Sequence, residues 1–188
     1  MLPRNWIAPT TSRALTKSEM KNNALLVGMY FKKQKWTPYA IAGMLGNMEA
    51  ESTINPSRWE NDDANKKEGY GLVQWTPYTN YSTWAGSGWE GNGNKECERI
   101  EYELKNNLQW IATSAYNFSF SAYSKMKNPP EYMADAFLKN YERPQDTNQP
   151  IRGTYARNWF KIILKYLYPE IWLYFQYNKY YRKVNMRK

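Results

Sequence analysis

Histidine is absent from the 188 residues, and cysteine occurs once, as Cys97. These absences remove several hydrolytic chemistries together. A Ser-His-Asp triad and a Cys-His pair each need an imidazole base. Zinc hydrolases draw their ligands chiefly from His, so a zinc amidase or metallopeptidase is not expected, and neither is any cofactor. A lone cysteine forms no internal disulfide; Cys97 reads as a small buried side chain in a fold held by packing. No segment offers about 18 uninterrupted apolar residues, so no transmembrane helix is expected. The richest run, FKIILKYLYPEIWLYFQY, is broken by Lys165, Pro169 and Glu170. The N-terminus, MLPRNWIAPTTSRALTK, has no apolar core of signal-peptide length, so work outside a cytoplasm would need another delivery route. What remains for hydrolysis is carboxylate chemistry.

The chain suits one domain, or one domain with an appendage. Apolar residues make up 42%, enough for a core, and aromatics 17%, including 9 Trp and 17 Tyr. Such rings fill cores, and they also line grooves because they combine flat apolar faces with polar handles. The net charge of +9 is uneven: from Arg152 onward there are nine Lys or Arg and one acid, Glu170. The preceding part is therefore almost neutral, and the end of the chain reads as a basic surface.

Local signals predict a mainly α (α+β) chain with a small β-hairpin region. Residues 1–15 read as an irregular arm. Thr16-Lys17-Ser18-Glu19 is a capping box, and Met20, Ala24, Val27 and Phe31 follow at helical spacing, predicting a helix over 17–33. Thr37-Pro38 starts a second helix that carries Ile41, Met44, Leu45 and Met48 and stops near Ser52, before Pro56. Residues 57–95 hold most of the glycines and the short apolar stretch Gly71-Leu72-Val73-Gln74-Trp75, read as a hairpin or irregular sheet with a Gly-rich loop at 86–94. Helices are expected at 95–112, 130–141 and 152–167. The domain division is an arm 1–15, a body 16–168 and a basic aromatic tail 169–188.

The second helix ends in GNMEAESTINP, with two acids just before an Asn-Pro stop. On a helical wheel Glu51 lies about 70° from the centre of the apolar face and Glu49 about 90° away on the other side, so periodicity favours Glu51 only slightly. Unpaired carbonyls at a helix C-terminus disfavour a negative charge. Partial burial against Met44 and Met48 acts in the same direction, so an acid held there tends to keep its proton. Such a group can protonate a glycosidic oxygen. A solvated pair of acids at a helix end is the plainer alternative.

AIAGMLGNMEAESTINP, then GYGLVQWTP, then YERP, together resemble the phage tail lysozyme family, over roughly residues 17–166. The resemblance narrows to the lysozyme domain of tail-tip peptidoglycan hydrolases from short-tailed phages of Gram-positive bacteria. More distantly, Glu51-Ser52 and Gly71-Leu72-x-Gln74 are similar to the Glu-Ser and Gly-Leu-x-Gln motifs of lytic transglycosylases and goose-type lysozymes. The resemblance implies a lysozyme-like fold, with Glu51 as general acid and with Gly71 and Gln74 beside the sugar. It implies a muramidase that cleaves the β-1,4 bond between N-acetylmuramic acid and N-acetylglucosamine, carried in the virion tail and opening the wall for DNA entry. Relatives often carry a second, peptide-cleaving zinc domain, which is not expected in a chain of this length without His. The tail after about Tyr168 has no counterpart in the resemblance.

Trp59, Trp75, Tyr78, Tyr81 and Trp84 flank the expected groove, where flat rings pack on the C–H faces of pyranoses; some of the five belong to the core instead. A second carboxylate, to activate water or stabilise an oxocarbenium-like transition state, has candidates in Glu60, Asp62, Asp63, Glu68 and Glu142. None is fixed by a motif. Glu142 reads as structural support, ion-paired with Arg143. Rival readings are a lytic transglycosylase of the same fold and a non-catalytic wall-binding virion protein. The tail's mixture of basic and aromatic residues also suits nucleic acid or anionic surfaces. Docking on a neighbouring tail protein is the preferred reading.

Overall fold

A computed structural model describes residues 1–185, with side chains through Tyr177. The order of elements is α1 (Lys17–Lys33), α2 (Pro38–Ser52), a 3-10 turn (Glu60–Asp62), α3 (Thr79–Ala85), α4 (Gly93–Lys105), α5 (Phe120–Lys125), α6 (Pro130–Phe137), a π-helical turn (Leu138–Glu142), α7 (Pro150–Leu167) and α8 (Pro169–Asn185). The chain is mainly helical, as expected. No described helix is long and apolar enough to cross a membrane.

The first two helices start where their caps predict. Thr16 Oγ1 accepts from Glu19 N while Glu19 Oε2 accepts from Thr16 N, at 3.3 and 2.8 Å, closing the capping box. Thr37 Oγ1 accepts from Ala40 N, with Pro38 at the first helical position. Helix α2 then runs through the centre of the molecule. It packs most extensively on α7 and α6, and also meets α1 and α5. Ile41, Met44, Leu45 and Met48 are fully buried, but so are Ala40, Ala42 and Asn47 on its other sides. An amphipathic wheel therefore describes this helix poorly: it is encircled. Two glycines permit the crowding. A Cβ on Gly43 would lie 2.6 Å from Met133 Cβ of α6, and one on Gly46 would lie 2.4 Å from the Arg152 carbonyl oxygen of α7.

The expected β-hairpin does not form. Among the described residues there are only two isolated bridges, Trp59 with Tyr70 and Tyr70 with Trp75. Pleating fails because Asn61, Asp62, Lys67, Gly71 and Gln74 all take positive φ, which turns the chain rather than extending it. The segment Gly71–Gln74 is a tight loop closed by reciprocal hydrogen bonds between Tyr70 and Trp75. The helix expected over 95–112 stops at Lys105, with left-handed Asn107 and Gln109 beyond it. Two short helices, α3 and α5, fall outside the expected elements, although Ser119 caps α5 by accepting from Ala122 N. The 130–141 helix is split into α6 and the π turn.

The N-terminal arm lies against the body. Trp6 covers Gly93, Ile7 N donates to Asn23 Oδ1, and the Arg13 and Pro9 carbonyls accept from Asn55 and Ser57. The region read as a tail begins as α8, whose Leu173, Tyr174, Phe175 and Tyr177 are exposed. Its residues 186–188 and the side chains after Tyr177 lie outside the described part.

Candidate active site

Helix α2 ends with Thr53 and Ile54 both in the left-handed conformation, so the chain reverses directly after Ser52. Ser52 Oγ lies 3.1 Å from the Met48 carbonyl and 3.0 Å from that of Leu72. Its single proton serves one of them at a time and ties the helix end to the Gly71–Gln74 loop. On its other side this loop is held by Glu96, whose Oε2 accepts from Leu72 N at 2.7 Å. Burial raises the Glu96 carboxyl well above the usual range, against the lowering effect of that amide.

Between the end of α2, this loop and the π turn opens a cleft of about 700 Å³, lined among others by Glu51, Trp59, Glu60, Gln74, Trp75, Gln109 and Glu142. Glu51 is 21% exposed and pairs through Oε1 with Arg152 Nη2 at 2.6 Å. Arg152 is buried and engaged at every nitrogen: the other two donate to Asn47 Oδ1 at 3.1 Å and Gln149 Oε1 at 2.7 Å. Glu49 does not enter the cleft; it accepts from Trp159 Nε1 at 2.7 Å, and burial raises its carboxyl.

Of the five aromatic candidates, Trp59 and Trp75 line the cleft. Tyr81 is fully buried, stacked on Trp75; Tyr78 packs on Trp59 and Trp89; Trp84 lies against Arg99 and Tyr102. Gly71 is not on the lining. It is buried with φ +81, and a Cβ there would sit 2.7 Å from Glu96 Oε2, so glycine is demanded by the loop's support. Gln74 lines the cleft, but its amide nitrogen donates to the Arg58 and Gly71 carbonyls, at 3.0 and 2.9 Å.

Of the carboxylate candidates, only Glu60 and Glu142 line the cleft. Glu60 Oε2 accepts from Gly69 N at 3.0 Å and so serves the turn. Asp62 is exposed and pairs with Arg58; Asp63 lies beside Lys66; Glu68 is exposed. Glu142 is different. The π turn carries it into the cleft wall, and its Oε1 is sealed from solvent without a hydrogen-bond partner among the described residues. Desolvation first, and the nearby charge of Glu51 second, raise its carboxyl well above the ordinary value, while Arg152 opposes them. The ion pair expected with Arg143 is replaced: Arg143 donates to the carbonyls of Gln109, Asn140 and Tyr141. The partial burial expected of Glu51 is found, but with a cation beside it, and the sealed oxygen belongs to Glu142.

Behind the wall, Glu103 gathers three donors: Trp75 Nε1 at 3.0 Å, Arg99 Nε at 2.8 Å and the Tyr141 hydroxyl at 2.5 Å. It thereby fixes two cleft-lining rings from below. Arg152, Glu103 and Glu96 escape the sequence reading, which counts Arg152 as part of a basic surface. One signal was available: a cation in the first turn of a helix opposes the macrodipole and calls for an acidic partner.

A family model for phage tail lysozyme matches residues 22–163. Morphogenesis protein 1 of Bacillus phage B103 is 44% identical over 156 residues, covering 79% of this chain. The chain spans 41% of that relative's length.

Proposed function

Because the chain belongs to the phage tail lysozyme family, we propose that it is a muramidase that cuts the β-1,4 bond between N-acetylmuramic acid and N-acetylglucosamine in peptidoglycan. The phage would use it to open the host wall, from the tail tip of the particle. The observation that carries the reading is Glu51: a partly exposed carboxyl at the end of the central helix, facing a 700 Å³ cleft with Trp59 and Trp75 on its wall. In this scheme a glycan strand lies along the cleft with a pyranose face on the indoles. The Glu51 carboxyl donates a proton to the glycosidic oxygen as the bond breaks, and water attacks the anomeric carbon. The body at 16–168 is the catalytic unit, with the arm 1–15 laid along it. The exposed apolar side chains of α8 are where a neighbouring tail protein would dock.

Zymography on Gram-positive peptidoglycan tests this directly. Glu51→Gln keeps the shape but has no proton to give, so clearing should fall by at least about a hundredfold. Clearing that survives the substitution sinks the assignment. Mass spectrometry of the released fragments decides the reaction: reducing N-acetylmuramic acid ends mark hydrolysis, and anhydro ends throughout mark a transglycosylase.

A further inference from the structure

A general acid must be reloaded with the proton it gives away at every turnover. Glu51 is held by Arg152 at 2.6 Å, while another carboxyl of the cleft, Glu142, has a sealed oxygen with no partner among the described residues. We propose that Glu142 stores the proton that Glu51 delivers, the two carboxyls holding one proton between them beside the Arg152 guanidinium. This rests on the reading of Glu51 as the acid and adds where its proton resides.

The surroundings suit one negative charge and not two. The groups that act on Glu142 are Glu51 from α2, Arg152 from α7, Glu103 from α4, and Arg143 directly after the π turn. Glu103 is already committed to Arg99, Trp75 and Tyr141, and Arg143 to backbone carbonyls. Arg143 keeps its charge but acts on Glu142 more weakly than Arg152, which touches Glu51, so Arg152 is the principal cation of the pair. Two neighbouring carboxyls of this kind titrate as a unit, and the second proton loss is opposed by the first charge.

The steps balance. The proton passes from Glu142 to Glu51, directly or through a water, and from Glu51 to the glycosidic oxygen. The C1–O bond breaks and the leaving sugar departs as an alcohol. Water then forms a new bond to C1, and the proton it sheds returns to the carboxyl pair, restoring the starting state.

The test is the pH dependence of kcat for Glu142→Gln and Glu142→Asp beside the wild type, on soluble peptidoglycan fragments. Glu142→Gln should move the alkaline limb toward acid pH and lower kcat near pH 7 by roughly tenfold to a hundredfold, with KM within about twofold. Activity should approach wild type on the acid side, and Glu142→Asp should restore much of the alkaline limb. A Glu142→Gln enzyme with the wild-type profile, in a chain whose activity still requires Glu51, overturns the proposal alone. If Glu51→Gln is as active as wild type, the reading beneath it fails too. Should the Gln variant not fold, the site-resolved carboxyl carbon-13 shift of Glu142 in the wild type decides: protonated at pH 7 supports the proposal, ionised overturns it.

Discussion

Gly46→Ala puts the link between packing and chemistry under strain. The added methyl would meet the Arg152 carbonyl oxygen at 2.4 Å, Ala156 N at 2.8 Å and Ala156 Cβ at 2.9 Å. All three belong to α7, and two are backbone atoms, so no rotamer change relieves the clash. Restoring ordinary contact requires α7 to retreat by roughly 1 Å at that level. Overpacking against backbone costs about 3 kcal/mol, at the upper end of the usual range. Replacing glycine within a helix returns about 1 kcal/mol, since alanine has less chain entropy to lose. The net loss is about 2 kcal/mol, or a fall in Tm of roughly 4–8 °C for a domain of this size. The same retreat draws Arg152 away from Glu51, so wall clearing at a temperature where both proteins are folded should fall further than stability alone explains. Gly153→Ala is the control: the nearest atoms to its Cβ belong to Glu131, at 3.3–3.5 Å, so the helix gain is little opposed and Tm should hold or rise by roughly 2–4 °C, with clearing near wild type. Circular-dichroism melting with a turbidity assay measures the two effects. An unchanged or higher Tm for Gly46→Ala would refute the claim that α7 is seated on the bare backbone of α2.

Tyr141→Phe removes one of the three donors to buried Glu103 and should destabilise the fold by about 1.5–3 kcal/mol in urea unfolding, the range for a bond to a charged group. Glu96→Gln should change the pH dependence of stability. Because the folded carboxyl of Glu96 is raised, the native state holds a proton that the unfolded chain releases above its ordinary value. Wild-type stability therefore declines as pH rises through that window, by up to about 1.4 kcal/mol per pH unit from this group. The glutamine variant lacks this decline, so its advantage should widen from pH 5 to 8. A constant gap would show that Glu96 is ionised in the fold.

What the sequence could determine was local. Caps and apolar spacing placed α1 and the start of α2, because a hydroxyl accepting from a nearby amide and side chains repeating every turn act within a few residues. The lack of histidine left carboxylates as the expected chemistry for any hydrolysis, whatever the fold. The stretch from Gly71 to Trp75 was legible as a motif but not as a shape, since its turn depends on Glu96 beneath it and Ser52 beside it.

The tertiary structure decided which charges meet. Arg152 and Asn47 bond across 105 positions, and nothing in either neighbourhood announces the other. That contact exists because Gly46 lets α7 lie directly on α2, and it sets the guanidinium on Glu51. Likewise the surroundings of Glu142 come from what packs against the π turn, since Glu51, Arg152 and Glu103 act on it from helices distant in sequence. Hydrogen-bonded turns and helical spacing are fixed by neighbours in the chain. A carboxyl's surroundings are fixed by neighbours in space, so the electrostatics of the cleft emerge only once the helices have packed.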